Sequence, residues 1–186
     1  MRWIFSMTIV AWSTLSATDS YADVESGPAV GQAVSSLKVQ PVENGQPGQA
    51  IDVAVQHGEQ PTVYVFLSGS RFDRPAGRFI KTLDTAMQKR QTLHPTLQLV
   101  IVYMADDAMK GAVRVTAVQG SLQLAASQWT VWKDGTMSPD GWAVSDRATV
   151  TAVVVDKKIV MATFGYDSVN DTVVPMIDAK VAKIAP

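Results

Sequence analysis

The sequence predicts an α/β protein built on a central mixed sheet, and three features point there. The unbroken apolar run Val63-Tyr64-Val65-Phe66-Leu67 reads as a strand buried on both faces. After a tight segment, Phe72, Ala76, Phe79, Ile80, Leu83 and Met87 recur at spacings of three and four, the apolar stripe of a helix. Pro95 ends that pattern, and Leu97-Gln98-Leu99-Val100-Ile101-Val102-Tyr103-Met104 supplies the next strand.

The remaining elements follow in order. Residues 1–22 read as a signal peptide: Arg2 gives a short positive start, residues 3–15 are mostly apolar, and Ser20-Tyr21-Ala22 offers a small-residue cleavage site. A membrane anchor is the competing reading. Ser6, Thr8, Ser13 and Thr14 interrupt the apolar run, which falls short of the ~20 residues a span needs. The expectation is an exported domain over 23–186, periplasmic or secreted, with no stable membrane span after cleavage. Residues 33–39 and 51–55 read as two edge strands joined by a turn within 43–48, an N-terminal hairpin beside the main sheet. His57, with no second histidine or cysteine nearby, is expected to be a solvated loop residue.

Beyond the second strand, Asp106-Asp107 offers a metal-binding pair or a helix cap, and capping is the preferred role. Residues 108–119 stay ambiguous, because Val113, Val115, Thr116 and Val118 favour a strand while the position between two strands favours a crossover helix. Ser127-Gln128-Trp129-Thr130-Val131-Trp132 alternates as a short strand. The turn-rich stretch 133–141 fails as a calcium loop, since Ser145 stands where the bidentate glutamate belongs. Residues 149–155 form a further buried strand, Asp156-Lys157-Lys158 turns it back, and 159–164 pairs with it antiparallel. Val173, Val174, Ile177, Val181 and Ile184 line a closing helix, in which Pro175 is tolerable within the first turn. Trp129, Trp132, Trp142, Phe164 and Tyr166 are expected to be core or sheet-packing residues first.

Composition narrows the function. With 186 residues, 47% of them hydrophobic, the chain can bury one core. A net charge of -1 gives no electrostatic footprint for nucleic acid. Losing residues 1–22 removes one base, Arg2, and one acid, Asp19, and leaves that charge unchanged. There is no cysteine in the chain, which excludes disulfides, cysteine nucleophiles, thiolate-bound zinc and iron–sulfur clusters. Two histidines far apart make a transition-metal site unpromising, and no cofactor or metal is expected.

The order of elements resembles the thioredoxin-like superfamily, and within it the redoxin branch of AhpC/TSA and TlpA-like proteins. The resemblance rests on Val63-Tyr64-Val65-Phe66-Leu67, on residues 149–156 followed by Lys158-Ile159-Val160, and on the Gly31-Gln32 opening. It implies a three-layer α/β/α sandwich with a central mixed sheet. It also implies a redox cysteine in the loop after the first central strand and a cis-proline before the penultimate one. By spacing, Arg71 stands at or near the cysteine position and Val150 at the proline position, so both halves of the redox site are missing. A cis bond before a non-proline costs about 2.5–4 kcal/mol, so a trans peptide is expected there.

What the family groove retains is Ser68, Gly69, Ser70, Arg71 and Arg74 on one side, with Thr149 and Val150 on the other. Arg71, Arg74 and Arg78 crowd a helix N-terminus against its macrodipole, a cost of roughly 0.3–1 kcal/mol each. A small anion or an acidic group of an exported partner would offset it; so would neutralisation by Asp73, Asp106 or Asp107, the preferred reading. Ser68 and Ser70 resemble a nucleophile elbow only loosely, and His94, the one nearby base, lies at the far end of the helix. The expectation is a non-catalytic module that binds a protein or ligand through this groove. The alternative is a thiol-disulfide oxidoreductase or peroxidase-related enzyme with partner-supplied or residual activity.

Overall fold

The computed structural model describes residues 23–132 and 138–186, so the expected leader at 1–22 and part of the turn-rich stretch lie outside the described residues. The elements run β1 (Lys38–Glu43), β2 (Gln46–Pro47), β3 (Ile51–Asp52), α1 (Val53–His57), β4 (Thr62–Ser68), α2 (Arg74–Leu93) and β5 (Gln98–Met104). They continue as α3 (Ala108–Leu122), β6 (Ser127–Trp132), β7 (Val150–Asp156), β8 (Ile159–Tyr166), a 3-10 turn at Asp171–Val173 and α4 (Val174–Val181). The sheet order is β2-β1-β6-β5-β4-β7-β8, with β3 pairing to β1. β4, β5 and β6 are parallel, whereas β7 and β8 are antiparallel additions on the far side of β4.

Period-two alternation gives β4 two different faces. Val63, Val65 and Leu67 point into one core layer with Phe79, Ile80, Leu83 and Met87 of α2, Ala112 and Val115 of α3, and Ile177 and Val181 of α4. All three long helices lie on this side. The chain steps from β4 to β5 to β6 in one direction, so two right-handed crossovers deliver α2 and α3 to the same face. Asp84 locks the second crossover from within α2, its buried carboxylate accepting the N–H of Ala125 at 3.0 Å and the hydroxyl of Ser127 at 2.7 Å. Arg90 ties α2 to α4, donating to Asp178 at 2.9 Å, and that hydrogen bond raises its pKa further.

The opposite face, with Tyr64, Phe66, Val100, Val102 and Val153, is covered by α1, the N-terminal segment and the 138–148 loop. Trp142 fills it: the side chain is fully buried, its ring lies 5.0 Å from Tyr64 and 5.2 Å from Phe66, and its indole N–H donates to the Ser36 carbonyl at 3.2 Å. Trp129, Phe164 and Tyr166 are buried on the helix side, and Trp132 is half-buried. Residues 24–34 run along the outer side of β8, where Gly31 N–H donates to Val160 O and Val160 N–H to Gln32 O, both at 2.8 Å.

The structure corrects some expectations and resolves others. The stretch 51–55 is strand only over Ile51–Asp52, because the Asp52 carboxylate accepts the Val55 N–H at 3.1 Å and starts α1 in spite of three flanking β-branched residues. Of 33–39, only Lys38 onward is strand, and Ala33 makes a lone bridge to Ile159. The hairpin turn falls at Asn44-Gly45, both at positive φ, and returns into β2 and then β3. Residues 108–119 belong to a helix, capped by Asp107, whose carboxylate accepts the Lys110 N–H at 2.9 Å. The closing helix is shorter than expected and begins with Pro175 in its first turn.

His57 is not solvated. It is 7% exposed, stacks on Tyr64 with ring centroids 6.3 Å apart, and its Nδ1 is buried with no hydrogen-bond partner among the described residues. Burial pushes the imidazole below its ordinary value of 6.5, and a hydrogen bond with Gln128 only partly opposes that. The unfolded chain therefore takes up the proton first as pH falls. Stability is full above about pH 6.5 and declines below it until the folded-state value is passed. Denaturant midpoints measured between about pH 5 and 7 should show this slope, and His57→Gln should flatten it. For the opposite face, Trp142→Ala should cost about 3–5 kcal/mol by chemical denaturation, with Trp142→Phe milder.

Candidate functional site

The site anticipated from the sequence gathers at the carboxyl end of β4. Ser68 N–H donates to Thr149 O at 3.0 Å, and Gly69 N–H donates to Met104 O at 2.9 Å, so the strand exit is stitched to both neighbours. Glycine is required at 69, since a Cβ there would stand 2.5 Å from the Met104 carbonyl oxygen and 3.0 Å from the Tyr103 ring. The Ser68 and Ser70 hydroxyls are 3.2 Å apart. The Arg71 N–H then donates back to Ser68 O at 3.2 Å, closing the turn. Asp73 caps α2, its carboxylate accepting the Ala76 N–H at 2.9 Å.

Arg71 crosses from this loop to the other end of the chain. Its guanidinium donates to the Asp167 carboxylate at 2.7 Å and to the Arg147 carbonyl at 3.0 Å. The acid beside Arg71 is thus Asp167, in the turn after β8, and not Asp73, Asp106 or Asp107. Its side chain is 43% exposed and that of Asp167 60%, so the pair is a surface clasp of modest strength. Arg74 and Arg78 are exposed and have no acid within ion-pair distance among the described residues.

Thr149 and Val150 are near in space but turned inward. The Thr149 hydroxyl bonds to Asp167 O, its N–H donates to Tyr166 O at 2.7 Å, and Val150 is fully buried beside Leu67 and Tyr166. No peptide bond among the described residues is cis. The cleft between the two sides, lined by Ser68, Met104, Ser145, Asp146 and Ala148, holds only about 10 Å³. That is roughly one water-sized probe.

The open space lies on the other side of the loop. A pocket of about 420 Å³ is walled by Gly69, Ser70, Tyr103, Asp106, Lys110 and Arg114. Lys110 and Arg114 share a face only when 108–119 is helical, and the β-branched content of that stretch conceals the helix in the sequence. Burial pushes the Tyr103 hydroxyl above its usual range, while Arg114, hydrogen-bonded to it, pulls it back. Tyr103 in turn donates to the Gly69 carbonyl at 3.3 Å.

Among the described residues neither serine hydroxyl is hydrogen-bonded to a base. His94 caps the far end of the 20-residue α2, about 30 Å away at 1.5 Å per residue, and contacts the Pro186 carbonyl. His57 precedes β4 altogether. Among the described residues no cluster of three His, Asp or Glu side chains is placed to hold a metal.

No protein-family profile matches the chain, and no curated protein does. Solved structures do. A candidate protein disulfide isomerase from Bacteroides thetaiotaomicron superposes with a TM-score of 0.65 at 8% identity, over 87% of this chain and 94% of that one. Reduced Prx3 from Vibrio vulnificus, solved with hydrogen peroxide, gives 0.58 at 11% identity over 82% of this chain and 98% of its own. AhpC from Enterococcus faecalis gives 0.57 at 9% identity over 83% and 91%. The chain has the thioredoxin-like α/β fold, similar to that of peroxiredoxins and thiol-disulfide oxidoreductases, and holds it without a single cysteine.

Proposed function

We propose that this is an exported, non-catalytic thioredoxin-like module that docks an acidic segment of a protein partner on the face formed by the 68–75 loop and the exposed start, 145–147, of the 145–151 segment. The observation that carries the reading is the Arg71 clasp. It places an exposed guanidinium beside a cleft of about 10 Å³, which is too small for a substrate, and so favours recognition across a surface. That surface is exposed and of mixed charge, with Arg71, Arg74 and Arg147 beside Asp73, Asp146 and Asp167. A partner carboxylate can replace Asp167 on the guanidinium without leaving a charge buried, so the exchange carries little desolvation cost. Arg74, with no acid in ion-pair range among the described residues, adds a second anchor. A small anion would use the same two arginines. Export rests on the leader-like residues 1–22.

A photo-crosslinker at position 70 tests the docking face in the native extract. One recurrent partner, captured at 70 and lost with Arg71→Glu, is the expected result; capture that survives that change, or turnover in disulfide-reduction or peroxide assays, overturns the reading. The clasp itself should be weak. A double-mutant cycle of Arg71→Ala and Asp167→Asn should give a coupling of at most about 1 kcal/mol in thermal or denaturant unfolding.

A further inference from the structure

The pocket on the α3 side of the loop opens away from Arg71 and shares only Ser70 and Gly69 with the docking loop. Its volume of about 420 Å³ falls within the range of small-molecule sites. One wall is apolar, made by the Tyr103 ring and Ala105. The charged lining is of both signs. Lys110 and Arg114 stand one turn apart on α3, and neither has an acid within ion-pair distance among the described residues. Asp107 is committed to the cap of α3, but Asp106 makes no hydrogen bond or ion pair among the described residues.

This lining discriminates between ligand charges. A simple anion drawn to Lys110 and Arg114 would meet the unpaired Asp106 carboxylate. A simple cation drawn to Asp106 would meet Lys110 and Arg114. A molecule carrying both charges satisfies each wall and leaves no like-sign contact. We infer that the pocket binds a free amino acid with an apolar side chain. Its carboxylate is held by Arg114 and Lys110, its ammonium by Asp106, and its side chain lies against Tyr103 and Ala105. The Ser70 hydroxyl completes the polar rim. This holds whether or not the Arg71 face docks a partner.

The test is an NMR titration of the ¹⁵N-labelled protein with L-leucine and its two truncated analogues, 4-methylpentanoate, which lacks the amine, and 3-methylbutylamine, which lacks the carboxylate. Leucine should shift the amides of Ser70, Ala105, Lys110 and Gly111 saturably, and each analogue should bind about tenfold more weakly or worse. Asp106→Asn and Arg114→Gln should each weaken leucine about tenfold while keeping a dispersed spectrum. If leucine gives no saturable shift, or if either analogue binds as tightly, the assignment is wrong. The analogue series needs no variant to fold. It is also read on the protein alone, so a failure here is distinct from a failure of partner docking at Arg71.

Discussion

The two-sided burial of β4 governs this structure. A strand with Val63, Val65 and Leu67 on one face and Tyr64 and Phe66 on the other cannot be left half covered. Burying each of these large side chains is worth about 1.5–3 kcal/mol, so the fold must supply two complete layers. It builds them from different materials. Helices form the first, because two crossovers in the same direction bring α2 and α3 to one face. The second is assembled from a five-residue helix, an irregular N-terminal segment and a loop, with one tryptophan as its centre.

That asymmetry also accounts for the chemistry at the carboxyl end of β4. Strand exit, turn and helix start occur within Ser68 to Asp73, and three backbone N–H groups there are drawn to neighbours: Ser68 to Thr149, Gly69 to Met104, Arg71 to Ser68. A glycine without room for a Cβ and a capping aspartate hold the geometry. With no thiol in this frame, what the loop offers is charge and hydrogen bonding on two sides, a flat face around Arg71 and a recess beside α3.

Much of this was legible in the residues, and the failures are instructive. The runs at 63–67 and 99–104 are apolar without interruption, as strands buried on both faces require, so β4 and β5 could be read directly. Helix α3 was hidden by β-branched residues, whose propensity is a weak term beside the Asp107 cap and the packing of Val115 and Val118. The same competition was lost at 51–55, where Asp52 overrides a strand-like composition. His57 looked solvent-facing because no partner was near in sequence, yet Tyr64 and Gln128 reach it through the fold. Nothing local in sequence announces that Arg71 pairs with Asp167, ninety-six positions on. Pairs of that separation are products of topology.

The segment that runs beside β8 has a consequence of its own. A sheet's outermost strand offers unpaired amides and carbonyls to any passing strand, and β8 adds half-exposed Ile159 and Met161 to that invitation. Residues 24–34 occupy the margin first, through Val24 to Gly165, the reciprocal Gly31–Val160–Gln32 bonds and Val34 to Lys158. The stretch that lends the second core layer its cover thereby also shields the β8 margin, so that trimming it back past Val34 would lay that margin bare as a template of sheet growth.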